Sequence, residues 1–231
     1  MAATAKPNAA IEYAKEFVKR LPIDRQQLRI LQDVCNEIWM AAPWRWTINV
    51  ITPTTITVNT ADLTVSSPPS DLLYLVKAWV TDGGESSYHL EVESSLPAAT
   101  TVVGTPSKIA WVPATSKYRI APVYGSLKAG KTVQIYGWYK KTAPVLTLAN
   151  IATAGTLVMD DEWFWVFQEG VLAKAYQYAD DQRAGNAVVG NDGRIQYSGQ
   201  MAKFQAGIDA MRQSEPLLLV PQPDPDNKTR G

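Results

Sequence analysis

The hydrophobic period of this chain changes twice, and that constrains its fold more than any other feature. Up to Pro43 apolar residues recur at three- and four-residue spacing. From Trp44 to about residue 150 they alternate, and from Asp160 the helical spacing returns. One period puts apolar groups on a helix face and the other puts them on one side of a strand. The chain therefore reads as α+β: a helical bundle of about four helices, N- and C-terminal, with an inserted antiparallel β-sandwich or barrel. Expected divisions are 1–43, N-terminal helices; 44–150, inserted β-domain; 151–214, C-terminal helices; and 215–231, an extended C-terminal arm.

The first helix is expected from near Asn8. Ile11, Ala14, Phe17, Val18 and Leu21 share its face, and Pro22 ends it. Asp24 and Gln27 have the spacing of a capping box, with Ile23 and Leu28 at the staple positions. From there Leu28, Leu31, Cys35, Ile38, Trp39 and Ala42 form one stripe, which Pro43 stops. Cys35 lies on that stripe and reads as a small core residue.

In the middle zone Trp46, Ile48 and Val50 alternate, as do Ile56 and Val58. Strands are predicted over Leu72–Val80, around Tyr88, Leu90 and Val92, and over Lys108–Val112, Lys117–Ala121 and Thr132–Tyr139. Asp82-Gly83-Gly84 carries a hairpin signal. Asp160, Asp161 and Glu162 then place negative charge at a helix start. That helix is apolar on two surfaces, one with Trp163, Phe167 and Val171 and one with Phe164, Trp165, Leu172 and Tyr176. A helix so apolar is buried on more than one side. Gly185 and Asn186 can end it, and Asn191-Asp192-Gly193 marks a turn. Met201, Phe204, Ile208 and Met211 then trace a last helix near 198–213.

Charge and composition exclude several functions. The chain of 231 residues has 22 Lys+Arg against 22 Asp+Glu, so it carries no overall basic footprint for gripping nucleic acid. One Cys and one His build neither a disulfide framework nor a structural zinc site. No apolar run approaches the ~20 residues of a membrane span, and the first ten residues lack the apolar stretch of a secretory signal. His89 stands alone, so a Ser-His-Asp triad has only one place to form. The carboxylate pairs Asp160/Asp161, Asp180/Asp181 and Glu91/Glu93 read as helix-terminal or solvated charge.

Gly125-Ser126-Leu127-Lys128-Ala129-Gly130-Lys131-Thr132 fits the Walker A pattern. That chemistry needs a helix N-terminus after the glycines, where backbone N–H groups cradle phosphates. Here Val133 and Ile135 alternate with Thr132 and Gln134, which predicts a strand. The segment reads as a loop between strands, and no cofactor is expected.

The tail is distinctive. Leu217, Leu218, Leu219 and Val220 are consecutive apolar residues between Pro216 and Pro221, and a polar, Pro-rich stretch ends the chain. Proline bars helix here and favours an extended chain. Burying each apolar side chain on a partner is worth about 1.5–3 kcal/mol at most. These four residues, with Trp163, Phe164, Trp165 and Tyr176 of the third-zone helix, are the expected interface residues.

The order of these parts resembles the head–tail adaptor (connector) proteins of tailed bacteriophages, including podoviral tail tubular proteins. The resemblance rests on a helix pair ending in Glu37-Ile38-Trp39 with Pro43-Trp44-Arg45-Trp46 after it, and on a β-rich insertion. It rests also on the helix running from Trp163 through Phe167-Gln168-Glu169-Gly170-Val171-Leu172-Ala173-Lys174-Ala175-Tyr176, a final helix and an arm. It covers most of the chain. It implies a non-enzymatic virion protein of the phage neck or tail, assembled in the host cytoplasm. It further implies a homo-oligomeric ring, typically dodecameric, docked between the portal protein and a downstream tail or nozzle protein. Viral DNA passes such a ring without sequence-specific binding. The alternatives are another neck or tail component, such as a stopper or tail-tube protein, and a carbohydrate-binding receptor-recognition module. In the latter Trp111, Trp138 and Tyr139 would be exposed stacking platforms.

Overall fold

The computed structural model describes residues 4–19, 21, 24–65, 67–81, 87–97, 102–125, 132–190 and 194–214. Among these residues it is a mixed α+β protein with four α-helices and a curled mixed sheet. The described residues up to 47, with those from 143 onward, form one compact unit, and residues 48–142 form the other.

The helical unit contains α1 (Pro7–Phe17), α2 (Asp24–Ala41), α3 (Phe164–Tyr178) and α4 (Gly199–Ser214). Pro7 opens α1, where its fixed φ suits the first turn and its missing N–H costs nothing. α1 stops at Phe17, before the predicted stop at Pro22: Val18 is already extended, yet Leu21 still packs on the helical core. Pro22 and Ile23 themselves lie outside the described residues. α3 lies against all three other helices, which explains its apolar character around so much of its circumference. Val166, Phe167, Val171, Ala173 and Ala175 are fully buried along it. At Gly170 an added Cβ would stand 2.7 Å from both Val34 of α2 and Phe204 of α4, so the three helices meet where only hydrogen fits. Glu37 and Lys174 pair at 3.0 Å across α2 and α3.

The sequence pattern predicts the last helix near 198–213, and α4 runs from Gly199 to Ser214. The same pattern carries α3 on to Gly185, but α3 ends at Tyr178. Asp180 takes a positive φ of 52° and a short 3-10 turn, Gln182–Ala184, comes next.

The sheet unit contains β1 (Ile48–Val50), β2 (Thr54–Thr55), β3 (Asp62–Thr64), β4 (Leu72–Thr81), β5 (Tyr88–Val92), β6 (Lys108–Val112), β7 (Lys117–Ala121) and β8 (Gln134–Lys141). A separate hairpin, β9 (Ala187–Val189) with β10 (Ile195–Tyr197), precedes α4 and belongs to the helical unit. Seven of these strands join in one path, β1-β8-β4-β5-β6-β7-β3, and β2 pairs with β8 off that path. β3, at the far end of this path, lies against β2, so the sheet curls toward closure.

The expectation of an all-antiparallel sheet needs correction. The β5–β6 pair is parallel, with Glu91 opposite Lys108 and Val92 opposite Ile109. The reason is topological: the chain between Val92 and Lys108 crosses over to start β6 in the same direction as β5. Inward-facing residues Ala78, Val80, Leu90, Ile109, Tyr118, Ile120 and Ile135 fill the curl. β4 lies between β8 and β5 over Ala78–Val80, where Ala78 and Val80 are fully buried.

Candidate assembly interface

The eight residues expected to contact partners fall in three settings. Leu217, Leu218, Leu219 and Val220 lie outside the described residues. Trp163 and Phe164 are half-buried at the start of α3, packed on the helical core. Trp165, one residue on, turns outward and is 44% exposed. Tyr176 is buried at 4% exposure inside its own chain, with the Arg183 guanidinium 4.5 Å above its ring, so it offers a partner little surface. Its apolar ring is needed where α3 meets the rest of the helical core.

The entrance to α3 is tied down by charge. Asp161 accepts hydrogen bonds from the Thr4 hydroxyl at 2.5 Å, the Thr4 N–H at 2.8 Å and the Ala5 N–H at 3.0 Å. The Thr4 hydroxyl is the first cause that holds its carboxyl below the usual range. Arg45 reaches the neighbouring Asp160 at 3.0 Å. Beside these contacts the Trp163 indole N–H is buried without an acceptor among the described residues.

A hollow of about 550 Å³ opens between α1, α3 and α4, lined by Tyr13, Phe17, Glu169, Arg183, Gln200 and Lys203 among others. Glu169 accepts from the Tyr13 hydroxyl at 3.0 Å and from the Gln200 amide. Arg183 is held by Asp181 at 2.7 Å. These contacts neutralise charge and join helices, and none sets out a nucleophile with a base. Among the described residues no group of three His, Cys, Asp or Glu side chains could hold a metal ion, and no helix is long and apolar enough to cross a membrane.

The remaining sequence candidates find structural places. Cys35 is 3% exposed, and burial pushes its thiol up to about 12. His89 is exposed on β5, opposite Trp79. Lys131 and the five residues before it lie outside the described residues, as do Asp82-Gly83-Gly84 and Asn191-Asp192-Gly193. The Walker-like segment leads into β8, paired with β4, and not into a helix N-terminus. The helix that a P-loop places behind the phosphates is replaced there by a strand.

The three aromatic platforms of the carbohydrate alternative are largely committed to the protein. Tyr139 is 3% exposed, and its hydroxyl donates to Asp71 at 2.9 Å. Burial, and then that bond, push its phenol up to about 12. The Trp111 ring lies 5.1 Å from that of Tyr118 against the sheet core. Trp138 is half-buried, edge-on to Trp79 at 5.6 Å, and Trp79 in turn stacks on Tyr136 at 6.4 Å. Sequence reasoning misses this outward cluster on β4 and β8. Its signal is the alternation of Tyr136 and Trp138 with Ile135 and Tyr139.

Exposed aliphatic side chains mark two further places. Val188, Val189 and Ile195 on the β9–β10 hairpin are 61%, 69% and 57% exposed. Leu73 and Tyr74 stand at the start of β4, over an apolar groove.

A family model described as SU10 adaptor protein matches residues 9–222 of the chain. No curated protein matches it.

Proposed function

Because this chain belongs to the SU10 adaptor protein family, as its match over residues 9–222 shows, we propose that it is a structural virion protein of a tailed phage, a head–tail adaptor. In this reading copies of the chain form a closed ring between the portal protein and a downstream tail or nozzle protein. The ring continues the DNA channel and does no chemistry. It resides in the phage neck and is assembled in the host cytoplasm.

The family match carries this reading. Three observations support it. Equal numbers of acidic and basic residues suit a channel wall past which DNA slides without being gripped. Trp165 and the apolar β9–β10 hairpin give the helical unit exposed apolar groups of the kind that subunit contacts cover. Glu169 and Arg183 of the helical hollow are engaged by neighbouring side chains. The interface assigned to Trp163, Phe164, Trp165 and the arm belongs to this proposal, and Trp165 is its best-placed member.

Antibody labelling of phage particles, viewed by electron microscopy, tests the location. Label at the junction of capsid and tail is expected. Label on tail fibres, or none on particles, would refute the adaptor role.

A further inference from the structure

The registers of the sheet open a wedge in it. β5 pairs with β4 only at Ala78–Val80. It then leaves β4 for β6, where Glu91 and Val92 lie opposite Lys108 and Ile109. Among the described residues, Leu72, Tyr74, Leu75 and Lys77 of β4 are registered with β8 alone, with irregularities between Leu72 and Tyr74 and between Leu75 and Lys77, and β6 beyond Ile109 is registered with β7 alone. Two strand edges thus face a groove of about 370 Å³, walled by Leu73, Tyr74, Leu75, Val92, Trp111 and Pro113. Leu73 and Tyr74 are 38% and 43% exposed there. A strand edge open in this way, set beside apolar walls, is a template for another strand.

We infer that the wedge receives Leu217–Val220 of a neighbouring copy as an added strand, an inference that rests on the ring reading above. The sequence of that segment fits the site. Four consecutive residues carry backbone N–H groups, while Pro216 and Pro221 on either side carry none. A segment so bracketed pairs over four residues and no further, which suits the short stretch of β4 that ends where β5 closes on Ala78. Alternate side chains point to opposite faces, so two aliphatic groups enter the groove. Pro221, Pro223 and Pro225 keep the chain beyond them extended, and Trp111 and Tyr74 are the aromatic surfaces on which such a chain packs. Residues 215–231 begin directly after α4 and reach roughly 50 Å when extended, enough to leave their own subunit.

Single-cysteine variants of the full chain test this. Cys35 is buried, so an introduced cysteine carries the reaction. Protein with Leu73→Cys is mixed with protein carrying Leu218→Cys and oxidised gently. A disulfide-linked heterodimer is expected at about tenfold the yield from Leu218→Cys with Val145→Cys, a position 74% exposed in the helical unit. Tyr74→Cys, at another exposed position, should behave like Leu73→Cys. Adding Leu217→Asp and Leu219→Asp to the Leu218→Cys chain should abolish the link. Equal yields at 73 and 145 would overturn the inference, and so would a disulfide formed only within one chain bearing both cysteines. Electron microscopy of the same samples before oxidation, with portal present, separates the two readings. Closed rings without the 73–218 link refute the strand addition alone, whereas absence of rings refutes the ring and this inference with it.

Discussion

Trp39 and Cys35 lie on one stripe of α2, each 3% exposed, and the whole helical unit is built on residues in their position. Trp39→Ala removes an indole from a packed interior and leaves a cavity. Denaturant unfolding should show a loss of about 3–5 kcal/mol, and an unchanged midpoint would mean that the indole is not in the core. Cys35 makes a chemical prediction from the same burial. Its thiol, pushed up to about 12, is neutral at ordinary pH and sealed from reagent. Native protein should therefore resist maleimide, with one thiol per chain labelled only after unfolding. Rapid labelling of folded protein would contradict the packing.

At the scale of elements, β3 pairs with β7 over three residues, and a charged fork spans the pair. Arg119 donates to both oxygens of Asp62, at 2.5 and 2.8 Å, and those bonds are the main reason the Asp62 carboxyl titrates below its usual range. A carboxyl with a lowered folded pKa stabilises above its unfolded pKa of ~3.9 and loses that contribution as pH falls through the folded value. The protection of the Asp62–Thr64 amides, taken against the intrinsic exchange rate at each pH, should accordingly fall below about pH 4. In Asp62→Asn that added acid sensitivity should be missing, and an identical profile would show that the fork does not hold β3. β3 also marks the reach of sequence reading. β6 and β7 are legible to the residue because Lys108–Val112 is a short apolar run and Lys117–Ala121 alternates, with turn residues between them. β3 is three residues long and its place is set by pairing with β7, far away in sequence, so no local pattern marks it. The parallel β5–β6 pair is equally hidden, because alternation fixes a strand's faces and says nothing of its neighbour's direction. The wedge beside that pair is invisible for the same reason. Among interface candidates, Trp165 and Tyr176 look alike in the helical pattern. Only packing tells that Tyr176 is covered by its own chain and Trp165 is not.

For the whole molecule, we expect the chain to complete its contacts in an assembly. The Pro-bracketed apolar tail is the part to which we assign those contacts. Deleting residues 215–231 should leave protein with native circular dichroism and an unchanged thermal midpoint that no longer co-sediments with the portal. Retention on the portal would make the tail a passive end. The most direct measurement is electron microscopy of the full-length protein mixed with its portal, with symmetry determined from the images. A closed ring of copies of this chain, seated coaxially on the portal with an open central channel, is expected. Monomers scattered free of the portal, or a ring that closes without contact to it, would contradict the adaptor function itself.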